Sequence, residues 1–254
     1  MFRLARWWLL VLALAGCGDP WMDPTRAARR TEVIVVPVPR GPATPPAFRD
    51  GVVETLARAA SPDAIFVEVP PADLERIESA LDTDPWVEAM PDVRALLAFA
   101  RDHGAKVEPV SGWTPEVGRD WRAFIARGLP DDPLYRRARR HRLREDADEG
   151  DDLEFVLGAA RRRLVEWESR ALEGTVPDAL GAAAPSRVGA AHEALFRAAL
   201  ARHEGARIFV AIDAKYASQF ERAASADPNV RIVSPLAFDD AIDELEEAFD
   251  ALDD

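Results

Sequence analysis

The chain has a single cysteine, Cys17, among 254 residues. With that one residue set aside, no thiol remains for a disulfide, a thiolate metal site or a cysteine nucleophile. Histidine is also scarce: His103, His141, His192 and His203 are the full set. No two of them stand at i, i+4 and no HExxH occurs, so a helical zinc-hydrolase site is excluded. Each reads as a surface or helix-capping histidine, and His203, just before Gly205, suits a helix C-terminus. Glycine-rich phosphate loops are missing too. Pro39-Arg40-Gly41-Pro42 is too proline-bound to present a row of backbone N–H groups. Ser111-Gly112 has no G-x-S-x-G around it, which removes the nucleophile-elbow reading. Positive charge is in deficit, with 32 Lys and Arg against 45 Asp and Glu, a net charge of −13. Such a balance argues against nucleic acid and against direct contact with anionic lipid. The apolar run Trp7–Ala15 is nine residues long, short of the about 20 that span a bilayer.

That run has another reading. Arg3 and Arg6 precede it, no acid interrupts it, and small residues follow. This is the layout of a secretory signal. Leu14-Ala15-Gly16-Cys17 resembles the lipobox of bacterial lipoproteins. The resemblance implies cleavage before Cys17, acylation of its thiol and of the new amino terminus, and attachment to a membrane through lipid. The alternative is an ordinary secretory peptide whose cysteine is incidental. Loss of Arg3 and Arg6 would take the net charge from −13 to −15. Gly18, where enteric lipoproteins kept in the inner membrane resemble one another in carrying Asp, favours the outer membrane. Residues 1–16 are thus expected as signal, 17–30 as lipidated cysteine and tether, and 31–254 as one domain.

Within that domain, 48% apolar and 30% charged residues allow a substantial core. Thr31–Val38 (TEVIVVPV) is rich in β-branched residues and predicts a buried strand that Pro37 and Pro39 end. A helix is expected over 43–60, a strand over Ala64–Val69, helices over 71–81 and 91–103, and a strand over Lys106–Val110. From Thr114 to Glu204 helices follow one another without a strand. Arg207–Asp213 (RIFVAID), a helix over 214–224, a strand over 231–233 and an acidic last helix complete the chain. Strands alternating with helices predict an α/β fold: a mainly parallel sheet of about five strands flanked by helices. Residues 114–204 form a helical insertion between strands 3 and 4. The run RRARRHRLR (136–144) is followed at once by EDADEGDD (145–152), and is expected as a solvated loop.

In open α/β sheets ligands bind beyond the carboxyl ends of the strands. That rule selects Arg40, Glu68, Ser111 to Trp113, and Asp213 to Tyr216. The stretch PDAIFVEVPPADLERI (62–77), with RALLAFARDHGAKVEPV (94–110) and GARIFVAIDAKYASQF (205–220), resembles the TraB/GumN/Tiki superfamily, related to ChaN-like haem-binding lipoproteins. The resemblance implies a Gly-x-x-His after the first strand, a glutamate after the second and another Gly-x-x-His after a late strand. Here Pro37-Val38-Pro39-Arg40 and Asp213-Ala214-Lys215-Tyr216 stand in those places, and Glu68 alone keeps the residue type. Arginine is a fixed cation and cannot ligate a metal. The resemblance therefore implies a hydrolase site that has lost its ligands, with no metal expected, in a binding or scaffolding protein of the envelope. The alternatives are a metal-dependent peptidase-like enzyme with altered ligands, or haem capture with Tyr216 as axial ligand. Arg40, Glu68, Asp213, Lys215 and Tyr216 form either a salt-bridged cluster or a pocket for a small molecule or an envelope protein. If Arg40 and Glu68 sit at neighbouring strand ends, they are expected to pair, with Asp213 sharing the guanidinium.

Overall fold

Thr31–Val38 forms β1, with every side chain from Val33 to Val38 buried. It is followed by α1 (Val52–Ala60), β2 (Ala64–Val67), α2 (Leu74–Ser79), α3 (Pro91–His103) and β3 (Lys106–Pro109). This computed structural model describes residues 29–253, apart from 41–43, 46, 47, 49, 50, 82 and 85–87. Cys17, the signal and nearly all of the expected tether lie outside the described residues, as does part of the segment 43–50. The helix expected over 43–60 begins at Val52, after Gly51 in a left-handed conformation at φ 100°. α3 stops where glycine allows it, at Gly104 with φ 69°.

The insertion holds α4 (Pro115–Ala126), α5 (Pro133–Glu149), α6 (Leu153–Leu157), α7 (Ala159–Thr175), α8 (Pro177–Leu180) and α9 (Pro185–Leu200). The chain then returns to β4 (Arg207–Asp213), α10 (Ala214–Ser225), β5 (Val230–Val233) and α11 (Asp239–Asp253). The five strands make one parallel sheet in the order β3-β2-β4-β1-β5. This is the expected α/β fold with its helical insertion between β3 and β4.

Pro37 does not end β1 but lies inside it, opposite Ile212 of β4. Glu32 donates its N–H toward β4 and Thr31 donates toward β5, so alternation aims position 37 at the β5 side. Pairing with β5 stops at Ile34, opposite Val233. The missing N–H of Pro37 therefore faces no partner strand.

Period-two burial splits the core across the sheet. Ile34, Val36 and Val38 join α1, α3, α6 and α11 on one face. Val33 and Val35 join α9, α10 and Val117 of α4 on the other. The helix after β1 and the helix after β4 thus cover opposite faces, although the two strands are neighbours. Their carboxyl ends form the switch point at which an open α/β sheet leaves a crevice. The insertion straddles that end of the sheet, because α6 packs into the first cluster while α4 and α9 pack into the second.

The run 136–152 is not a solvated loop: residues 133–149 are helix α5. Asp132 accepts hydrogen bonds from Leu134 N (2.8 Å) and Tyr135 N (3.0 Å), with Pro133 at the first helical position. The acidic block turns back on the basic one. Asp146, buried, takes Arg142 one turn away at 2.5 Å and Arg161 of α7 at 2.8 Å, and Arg142 also bonds Glu168. These pairs make a helix from a stretch with almost no apolar residues. Among the described residues no helix is long and apolar enough to cross a membrane.

Candidate functional site at the strand ends

Arg40 leaves the end of β1, Glu68 the end of β2 and Asp213 the end of β4, so the switch point gathers them. The guanidinium of Arg40 meets Asp92 twice, Nη1 to Oδ1 at 2.5 Å and Nη2 to Oδ2 at 2.8 Å. Its contact with Glu68 Oε2 is longer, 3.5 Å. The expected Arg40–Glu68 pair is present, but Asp213 does not share the guanidinium by hydrogen bond. Asp92, in the first turn of α3, takes that place.

Asp213 serves its own helix instead. Its Oδ1 caps α10 by accepting from Lys215 N at 3.1 Å, and its Oδ2 lies 2.5 Å from Lys215 Nζ. Lys215, one of two lysines in the chain, also stands 4.9 Å above the ring of Tyr216. Burial alone would lower the lysine pKa, but the charge and hydrogen bond of Asp213 raise it above the ordinary value. Burial pushes the Tyr216 phenol the same way, up, so phenolate is disfavoured there.

Glu68 is the hub. Its Oε2 accepts from Asp213 N at 3.0 Å, and its Oε1 lies 3.4 Å from His192 Nε2. Burial pushes this carboxyl up, yet the hydrogen bond from His192 and the charges of Arg40 and Lys215 outweigh it. The pKa is held at about 2.

His192 is the residue that sequence reading missed. It is fully buried, not a surface or capping group. Gly112 N donates to its Nδ1 at 3.0 Å, so the ring proton sits on Nε2, facing Glu68. The close approach depends on glycine, because a Cβ at position 112 would lie 2.3 Å from Ala191 Cβ. The ring of Tyr216 packs against His192 at 4.7 Å. His203 is likewise buried, bonded to Glu108 at 2.8 Å. His103 does sit at a helix end, bonded to the Phe99 carbonyl at 3.0 Å, and His141 pairs with Glu145 on α5. Ser111, also expected near the site, is buried and accepts from Trp113 N.

Above these groups lies a cavity of about 760 Å³ between the strand ends and the insertion. Arg40, Glu68, Asp213, Lys215 and Tyr216 line it from the sheet. Trp113, Trp121, Ile125, Leu143, Val165 and Leu172 supply an apolar wall, and α5 and α7 add Arg139, Arg142, Arg161 and Glu168. Pockets of about 300–1,000 Å³ hold small organic ligands.

Neither group implied by the family resemblance fits this donor set. A divalent ion at Glu68 would have to overcome the fixed charge of Arg40 and compete with the Asp213 N–H and His192, which contact the two carboxylate oxygens. Among the described residues no three His, Cys, Asp or Glu side chains are placed to hold a metal ion. For haem, a tyrosinate at Tyr216 is opposed by burial, and the ring is already flanked by His192 and Lys215. No family model, curated protein or solved structure matches the chain.

Proposed function

We propose that this chain is a lipid-anchored protein of the cell envelope, held through Cys17, that binds a small molecule in the strand-end cavity and does not turn it over. The resemblance to the TraB/GumN/Tiki superfamily is part of this reading: the fold type is kept and the metal-hydrolase site is not. The observation that carries it is the commitment of Glu68. A general base needs a free lone pair and a pKa near the working pH. Glu68 fails the second requirement: three donors, Arg40, Asp213 N and His192, converge on its oxygens, and its pKa is held at about 2. The outer membrane, facing the periplasm, is the proposed location, on the strength of the lipobox-like Leu14–Cys17 and of Gly18.

The test uses the full chain produced with its own leader. Cys17→Ser is expected to abolish incorporation of labelled fatty acid and to leave unprocessed precursor. The lipidated chain, supplied with zinc or manganese and a peptide library, is expected to show no turnover that depends on Glu68. Metal-dependent cleavage lost in Glu68→Gln would overturn the binding reading in favour of a peptidase with altered ligands. Normal labelling of Cys17→Ser would overturn the anchor.

A further inference from the structure

The charges around the cavity are unevenly divided. Among the described residues at the strand ends, Arg40 and Lys215 face Glu68, Asp213 and, behind them, Asp92, which leaves a surplus of one negative charge. On the insertion Arg139, Arg142 and Arg161 face Glu168 and, behind them, Asp146, which leaves a surplus of one positive charge. Arg142 and Arg161 are engaged by those two acids. Arg139 is not: it lies against the Tyr135 phenol and has no carboxylate at ion-pair distance among the described residues.

Arg161 adds a second observation. It lines the cavity at 2% exposure, and its Nη1 has no hydrogen-bond partner among the described residues. A buried guanidinium N–H left without an acceptor is costly, and an acceptor supplied by a ligand would remove that cost.

The rest of the wall is apolar. The large hydrophobic side chains exposed to solvent among the described residues are Ile125 at the end of α4, Leu129 on the connection to α5, and Leu134 in the first turn of α5. Ile125 and Leu129 also line the cavity, so its rim is apolar where it meets water.

Resting on the binding reading above, we infer that the cavity takes an amphipathic carboxylic acid. Its carboxylate sits on the guanidinium groups of Arg139 and Arg161, and its apolar body lies along Trp113, Trp121 and Leu172 toward the Ile125–Leu129 rim. A planar carboxylate matches the guanidinium fork. A single negative charge also balances the surplus on the insertion, whereas a phosphate monoester would bring more charge than that wall offsets. The strand-end cluster, already paired and net negative, repels the head and leaves it to the insertion.

The probe is dansyl-labelled undecanoate, added to the full lipidated chain in phospholipid nanodiscs, with empty nanodiscs as blank. Energy transfer from tryptophan to dansyl reads binding, and Trp121→Phe is expected to reduce the transfer. The acid is expected to bind saturably and about tenfold or more tighter than its methyl ester, the worth of a charge-assisted contact. Arg139→Met, chosen because it leaves no buried acid without a partner, is expected to bring the acid to the affinity of the ester and leave the ester unchanged. Equal affinity of acid and ester, or equal weakening of both by Arg139→Met, would overturn the carboxylate assignment while leaving a binding cavity in place. Displacement by undecyl phosphate at lower concentration than by undecanoate would overturn it as well. Absence of saturable binding by either probe would overturn the amphiphile, and the turnover assay above separately decides between binding and hydrolysis.

Discussion

Replacing Arg40 by methionine removes the cation that, among the described residues, faces Asp92 at the strand ends. The side chains of Arg40, Asp92 and Glu68 are 20%, 6% and 12% exposed, so water screens the orphaned charges poorly. Removing one member of a buried pair costs about 3–5 kcal/mol, and the partial exposure of Arg40 places the expected loss near the lower end. For a chain of this size, about 3 kcal/mol lowers the unfolding midpoint by about 6–12 °C. The geometry also predicts which second change rescues the loss. Asp92 receives two short contacts from Arg40, so adding Asp92→Asn removes the acid left most exposed to the loss. Glu68 keeps Asp213 N and His192 after Arg40 is gone, and Glu68→Gln would turn an amide N–H₂ or a weakened acceptor toward donors already in place. The Arg40–Asp92 coupling is therefore expected at about 2 kcal/mol and the Arg40–Glu68 coupling below about 1 kcal/mol. Urea unfolding followed by circular dichroism on the wild type, the three singles and the two doubles measures both. A loss below about 1 kcal/mol for Arg40→Met would mean that the pair behaves as a surface ion pair, and stronger coupling to Glu68 than to Asp92 would refute the arrangement.

Two further outcomes follow from the same cluster. Gly112→Ala drives a methyl group to 2.3 Å from Ala191 Cβ and 2.9 Å from the Ala191 carbonyl carbon, so α9 must shift. A loss of about 1–3 kcal/mol is expected, partly recovered by Ala191→Gly, with the ¹⁵N signal of His192 Nδ1 reporting the broken bond from Gly112 N. An unchanged signal and stability would mean that the contact does not hold His192. Acid stability is the other outcome. Glu68 has a folded pKa of about 2, below its ordinary 4.5, so its ionised form favours the native state above pH 4.5. That contribution, about 3 kcal/mol in full, is lost as pH falls from 4.5 toward 2. Glu68→Gln is expected to flatten the stability curve over that window, and an unchanged slope would count against the low pKa.

Much of the fold is legible in the sequence because the sheet is buried on both faces. TEVIVVPV and RIFVAID are β-branched runs that a parallel strand requires, and β1 and β4 begin and end where those runs do. α5 is hidden in the sequence for the opposite reason. It has almost no apolar periodicity, and what stabilises it is the Asp132 cap together with ion pairs to α7, whose partners lie 15 and 26 residues away. His192 did carry a signal. It stands four residues after Val188 and four before Phe196, on the buried stripe of α9, where a surface histidine does not belong. Asp92 carried none of that kind. After Pro91, in the first turn of a helix, an acid reads as a partner of the helix dipole, and nothing local points to an arginine 52 residues earlier.

The division of labour between sheet and insertion explains how an acidic chain could offer the proposed site to an anion. Five cations line one cavity in a protein whose net charge is −13. Those on the sheet are fixed by Asp92, Glu68 and Asp213, and the resulting network ties β1, β2, β4 and α3 together at the switch point. Substitutions there act on stability first, because each cation holds a buried acid. The insertion holds its cations less completely: among the described residues Arg139 has no carboxylate partner and one N–H of Arg161 is unmet. A low-dielectric wall of tryptophan and aliphatic side chains strengthens the field of such groups inside the cavity. On the proposed binding reading, selectivity for the ligand resides in α5 and α7, where residues can change without unpairing the strand ends that hold the sheet.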